Sequence, residues 1–161
     1  MVTFFDKDQQ LELAGPSNYD ELKKNIENCL PSRNWGYAFK IKGTFGSIKC
    51  GGATKQEKPF TKTLSDALVD RPVFEKENVT GTMVGFWFPE FVGKVNVVGF
   101  HLHFISDDKK TAGHVMDFQA SNLQIEIDYS NDFRFVLPDT EQYKKADFDL
   151  SQEYDNRKPT K

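Results

Sequence analysis

All three histidines of the chain fall in one stretch, Gly99 to Phe118, which reads GFHLHFISDDKKTAGHVMDF. His101 and His103 are two residues apart, the spacing that projects both side chains from one face of an extended strand. Between His103 and His114, the run Ser106-Asp107-Asp108-Lys109-Lys110-Thr111-Ala112-Gly113 is polar and ends in glycine, as hairpin connections do. A hairpin centred between Asp108 and Lys109 sets His114 across from His103. Opposed residues share a face with Cβ atoms about 4.5 to 5.5 Å apart, so three imidazoles can converge on one point. His101, His103 and His114 are therefore candidate metal ligands. Three protein ligands leave a coordination position for water or substrate, whereas structural zinc sites close with four. The competing reading is three ordinary histidines of a half-buried sheet, and the paired spacing with a third on the return strand favours the metal. Imidazole suits zinc, iron, copper and nickel, so spacing does not choose among them.

The elements that must position these rings are mostly strands. Alternation puts Val98, Phe100, Leu102 and Phe104 on the face away from the histidines. On the histidine face Gly99 leaves space, with Met116 and Phe118 as an apolar floor. Val2 to Phe5 reads as a first strand, and Gly15-Pro16 then breaks the chain. Ser17 with Asp20 three residues on resembles a helix start, and Tyr19, Leu22, Ile26, Cys29 and Leu30 form one apolar helix face that Pro31 ends. Trp35 to Lys49 reads as strand, turn at Gly43, and strand. Gly51-Gly52 reads as a bulge, followed by a charged loop at Lys55 to Pro59. Thr63 to Val69 predicts a short helix with Leu64 and Leu68 inward. Val79 to Phe88, Val95 to Ser106, Leu123 to Tyr129 and Asp132 to Leu137 complete the strands. The expected fold is α+β, mostly β: an antiparallel or mixed sheet closing toward a barrel with one or two flanking helices. Residues 1–138 are expected to form one metal-binding domain, and 139–161 a charged, mobile tail.

Composition removes several classes. A chain of 161 residues suits one domain, and a net charge of −3 without a basic stripe speaks against nucleic acid. No run approaches the roughly 20 apolar residues of a membrane span. The opening MVTFFDKD lacks the pattern of a signal peptide, so a cytoplasmic location is expected. Cys29 and Cys50 do not make a disulfide framework and read as free thiols. A nucleophilic role for Cys50 needs a base beside it, and the histidines are taken by the metal.

Gly99-Phe100-His101-Leu102-His103-Phe104-Ile105-Ser106-Asp107-Asp108, followed by Gly113-His114-Val115-Met116-Asp117-Phe118, resembles the signature of the acetolactate decarboxylase family. Leu30-Pro31-Ser32, Lys42-Gly43-Thr44-Phe45, Lys55-Gln56-Glu57-Lys58-Pro59, Gly81-Thr82-Met83-Val84-Gly85-Phe86-Trp87 and Leu137-Pro138-Asp139-Thr140-Glu141 extend the likeness over nearly the whole chain. The resemblance implies Zn2+ held by His101, His103 and His114. It also implies a small 2-hydroxy-3-keto acid substrate, conversion of 2-acetolactate into acetoin and carbon dioxide, and a homodimer.

The chain departs from that pattern where substrate is handled. Gly51 stands where the family carries a pocket arginine, and Phe88 where it has a threonine. The family's longer amino-terminal portion, which supplies one glutamate, has no counterpart here, and its second glutamate has no clear equivalent after Asp149. Lys49, two residues before Gly51, is the candidate to restore part of the missing charge. Two function classes follow: a metal-dependent carbon–carbon lyase, impaired or completed by another segment, and a degenerate relative that keeps zinc and binds a small oxygenated ligand without turnover. Spacing alone also admits hydratase or dioxygenase chemistry.

Overall fold

The computed structural model describes residues 1–58 and 64–146. Five strands carry the fold: β1 (Gln9–Asn18), β2 (Gly36–Gly51), β3 (Val73–Phe88), β4 (Gly99–Ser106) and β5 (Ala112–Ser130). Helix α1 (Tyr19–Cys29) follows β1, α2 (Leu64–Val69) precedes β3, α3 (Glu141–Lys145) follows β5, and a 3-10 turn at Glu90–Val92 joins β3 to β4. The sheet order is β1-β5-β2-β3-β4, every pairing is antiparallel, and β5 also pairs with β4. Strands β5, β2, β3 and β4 therefore close into a ring, and β1 extends the sheet beyond β5. This is the mostly β architecture that the alternating pattern predicts, with helices at its flanks. Among the described residues, no helix is long and apolar enough to cross a membrane.

One face of the ring is the core. Phe39, Ile41, Phe45 and Ile48 of β2 meet Met83 of β3, Leu102 and Phe104 of β4, and Val115, Phe118, Leu123, Ile125 and Ile127 of β5, all essentially inaccessible to water. Each such side chain stabilises the fold by about 1.5 to 3 kcal/mol through removal from water. The Phe45 ring centre lies 5.1 Å from that of Phe104 and 5.7 Å from that of Phe118, both edge-to-face. Leu22 and Ile26 of α1 are fully buried against this core. The helix is fixed at its start by a capping box: the Asn18 N–H donates to Glu21 Oε2 at 2.9 Å, and the Glu21 N–H donates to Asn18 Oδ1 at 2.9 Å.

Several elements differ from the sequence-based expectation. Residues 2–5 form no strand, and Val2 and Phe4 are exposed. The first strand is instead Gln9–Asn18, where Leu11 and Leu13 turn toward the core and Glu12 and Gln10 away from it. Gly15-Pro16 does not break the chain, because this is an edge strand and the pair is absorbed as a register shift with Gly15 at φ 82°. The helix cap therefore moves from Ser17 to Asn18. Gly43 is no turn: β2 continues through it with a register shift against β5 between Lys42 and Thr44, and a side chain there would meet Leu123 Cδ2 at 2.5 Å. Glycine at this point is a site of close approach between β2 and β5. β3 begins at Val73, before the expected Val79, β4 begins at Gly99 rather than Val95, and β5 is one 19-residue strand. Residues 132–137 form no strand, and Phe133, Phe135, Val136 and Leu137 are exposed. In α2, Ala67 is buried and Leu68 half-buried. Thr63, Pro59 and the Leu64 side chain lie outside the described residues. Of the expected tail, 139–146 holds α3, capped by the Thr140 hydroxyl, which accepts from the Tyr143 N–H at 3.2 Å. Residues 147–161 lie outside the described residues.

Candidate metal centre

The β4–β5 hairpin is built by its own polar residues. The Ser106 hydroxyl donates to Asp108 Oδ1 at 2.6 Å, the Lys110 N–H donates to the same oxygen at 3.0 Å, and the Thr111 N–H donates to Ser106 Oγ at 3.0 Å. Those bonds hold the Asp108 carboxyl below its usual range, the Ser106 hydroxyl contributing most. Lys109 turns the chain in the left-handed region at φ 59°. The resulting register pairs His103 with His114, Phe104 with Gly113 and Ile105 with Ala112. The hairpin thus centres between Asp108 and Lys109, as its composition predicts. Strand β3 braces the other side, with Val84 opposite His103 and Phe86 opposite His101.

The three rings converge. One ring nitrogen from each of His101, His103 and His114 lies within 4.8 Å of the other two, and the Nε2 atoms of His101 and His103 are 3.0 Å apart. Nitrogens bound to one tetrahedral zinc ion at about 2.0 to 2.1 Å stand roughly 3.3 Å from one another, so small ring rotations suffice to receive such an ion. Two of the rings are also held in the form that ligates. Burial, then the neighbouring His101 and His103, then the Arg71 charge, push His114 down to about 4. Burial first, and His103 next, also lower His101. A neutral imidazole offers the lone pair that a metal needs. His103 is exposed and the other two are half-buried, so the cluster is open on the His103 side.

The surroundings follow the sequence only in part. Phe100, Leu102 and Phe104 turn to the core face as expected, while Val98 precedes β4. Gly99, at φ 73°, has no atom within 4 Å of where a side chain would begin. Phe118 is not a floor for the histidines but part of the core, packed edge-on against Tyr19 and Phe45. The reason is a bulge. Lys49 pairs with Asp117 and Cys50 with Val115, which leaves Met116 unpaired and reverses the alternation beyond it. Cys50 is fully buried, and burial raises its thiol above the usual range, away from nucleophilic reactivity. Both cysteines are free.

The structure places Lys49 on β2 with its ammonium 3.0 Å from Glu75 Oε1. Gly51 lies between His114 on β5 and Val73 on β3. A side chain starting at Gly51 would meet Met116 Sδ at 3.0 Å and the Cδ and Nε of Arg71 at 3.6 Å. Arg71 is therefore a neighbour of the cluster that sequence reasoning missed. Its approach depends on the pairing of β2 with β3, which no local pattern encodes. A cavity of about 500 Å3 opens beside His101 and His103, with Phe5, Lys40, Phe86, Phe88 and Val97 among its lining residues. It does not reach His114, so the cluster stands between this apolar hollow and the Arg71 side.

The family model for alpha-acetolactate decarboxylase matches residues 1–150. The chain is 38% identical over 160 residues to the alpha-acetolactate decarboxylase of Methanosarcina mazei, covering 99% of this chain and 55% of the relative. It is 33% identical over 147 residues to that of Bacillus licheniformis, covering 91% and 58%. The crystal structure of alpha-acetolactate decarboxylase from Bacillus subtilis strain 168 superposes with a TM-score of 0.87 at 33% identity, covering 91% of this chain and 62% of that one. The chain thus spans about half the length of the curated relatives it matches.

Proposed function

The chain belongs to the alpha-acetolactate decarboxylase family, and from that premise we propose that it carries the metal-bearing part of a carboxy-lyase that turns 2-acetolactate into acetoin. The observation that supports this most is the convergence of three ring nitrogens within 4.8 Å at one side of the β4–β5 hairpin. In this reading His101, His103 and His114 hold zinc. When bound, the ion supplies Lewis-acid stabilisation of the negative charge that develops as carbon dioxide leaves. The bond to the carboxylate breaks, its electron pair passes onto the adjacent carbon and ketone, and one proton taken up completes acetoin.

The protein's own residues set the conditions for that step. Burial keeps His101 and His114 neutral, and the hairpin bonds fix the opposed register of His103 and His114. The hollow lined by Phe86, Phe88 and Val97 gives one side of the cluster an apolar wall. Lys49 is the candidate for positive charge on β2, and its pair with Glu75 offsets much of that charge. We place the protein in the cytoplasm, which its free thiols suit, and expect a homodimer, in keeping with the unpaired outer edge of β1.

The test is metal analysis joined to an acetoin assay. Zinc near one equivalent, acetoin release from 2-acetolactate, and loss of both in His103→Ala are expected. A second reading, a zinc-holding relative without turnover, draws on the absence of any carboxylate in the histidine cluster among the described residues. Bound zinc with no acetoin would favour it.

A further inference from the structure

We propose that Arg71 is the residue that receives the substrate's carboxylate, reaching over Gly51 to the His114 side of the histidine cluster. The inference rests on the function proposed above and names a group within it. Its basis is a row of residues across four strands: His103 opposite His114, His114 opposite Gly51, and Gly51 opposite Val73. Arg71 is two residues before Val73, just outside β3, and its side chain comes to the Gly51 end of this row. The Gly52 N–H donates to the Pro72 carbonyl at 3.0 Å, which holds the segment carrying Arg71 against the end of β2.

Gly51 makes the approach possible. Where its side chain would begin, Arg71 Cδ and Nε are 3.6 Å away, an ordinary van der Waals contact. The guanidinium stem therefore lies over the glycine and beside His114. Arg71 is half-buried, and among the described residues no carboxylate stands within ion-pair distance of it. Lys49, in contrast, is already paired with Glu75.

The chemistry gives such a group a purpose. A cluster of neutral imidazoles around a cation binds hydroxyl, ketone and water oxygens alike. A planar guanidinium with parallel N–H donors selects a carboxylate and fixes its plane. A 2-hydroxy-3-keto acid has one carboxylate, the group to be expelled, so a fork at Arg71 orients the bond that breaks.

The experiment uses the zinc-loaded full chain and two readouts: kcat and KM for 2-acetolactate, and calorimetric binding of lactate, a 2-hydroxy acid that is not turned over. Arg71→Ala is expected to weaken lactate binding and raise KM roughly 10- to 100-fold at unchanged zinc content, with Arg71→Lys intermediate. Lactamide, which lacks the charge, should bind both forms equally. Arg33→Ala, a surface arginine near Glu27, controls for net charge. The double variant Arg71→Ala, Gly51→Arg should recover part of the loss, because the same space then receives a guanidinium from β2. The inference is overturned if Arg71→Ala binds lactate like the parent, if it loses lactamide equally, if zinc is lost with it, or if Lys49→Ala costs more. Acetoin release with an unaffected Arg71→Ala leaves the decarboxylase reading standing and removes this one. Arg71-dependent lactate binding without acetoin does the reverse.

Discussion

Gly85→Ala tests whether the β3–β4 ladder is what places the histidines. A methyl group at Gly85 would overlap the His101 carbonyl oxygen and lie 2.8 Å from Leu102 Cα and 2.9 Å from the His101 carbonyl carbon. Carbon pairs rest at about 3.5 to 4.0 Å, so β4 must retreat by at least roughly 0.7 Å. The neighbours are backbone, and no rotamer change relieves the contact. Overpacking costs about 1 to 3 kcal/mol, and two strained ladder hydrogen bonds add about 1 kcal/mol each. The sum, about 3 to 5 kcal/mol, lowers Tm by roughly 6 to 20 °C for a chain of this size. Residues 84 and 86 flank the insult and pair with His103 and His101. Ligand distances tolerate only about 0.2 Å, so zinc affinity should fall roughly 10- to 100-fold. Thermal melting and competition with a chromophoric chelator read the two effects. Gly43→Ala is the contrast: it meets the end of the Leu123 side chain at 2.5 Å and the next atom only at 3.7 Å. It should cost less than about 1.5 kcal/mol and leave zinc affinity intact. A Gly85→Ala protein that melts within about 2 °C of the parent and keeps its zinc affinity would refute the reasoning.

Zinc retention should depend on acidity with a fixed sign. A protonated ring cannot ligate, and His114 is pushed down from 6.5 to about 4. The metal-free fold therefore binds fewer protons than the unfolded chain between those values, and both stability and zinc occupancy decline as pH falls through that window. Full zinc at pH 4, or loss above neutrality, would contradict this in an equilibrium dialysis series. Lys109→Gly should raise stability by a few tenths to about 1 kcal/mol, because the lysine sits at φ 59°, where a Cβ is strained. A melt that drops instead would show that the hairpin needs more from Lys109 than its backbone.

The sequence carried the local parts of the fold well and the long-range parts poorly. The apolar face of α1 is legible because its period is set within the helix, and Leu22 and Ile26 are indeed fully buried. The hairpin register was legible because polar residues Ser106 to Thr111 define it without outside help. Gly15-Pro16 and Gly43 misled for one reason. Glycine and proline signal turns on average, but β1 is an edge strand that tolerates the pair, and Gly43 lies inside β2 under the Leu123 side chain of β5. Which of these applies depends on partners more than 70 residues away, such as Leu123.

The site divides along the same line. His101, His103 and His114 come together through an alternation of two and one short turn, so their meeting follows from about fourteen residues. Phe118 is only four residues past His114, yet the single unpaired Met116 reverses which face it takes. The bulge falls just past His114, where β5 leaves its pairing with β4 and continues along β2, so it is tied to the sheet's partners more than to a local pattern. Arg71 is further still from view: it meets Gly51 only because β2 and β3 pair with Gly51 opposite Val73. In the role proposed for Arg71, a charge that one position lacks is supplied by the segment leading into a neighbouring strand. For this reason the side chain missing at Gly51 is weak evidence of a dead site, since in a closed ring each position is bordered by two strands that can reach over it.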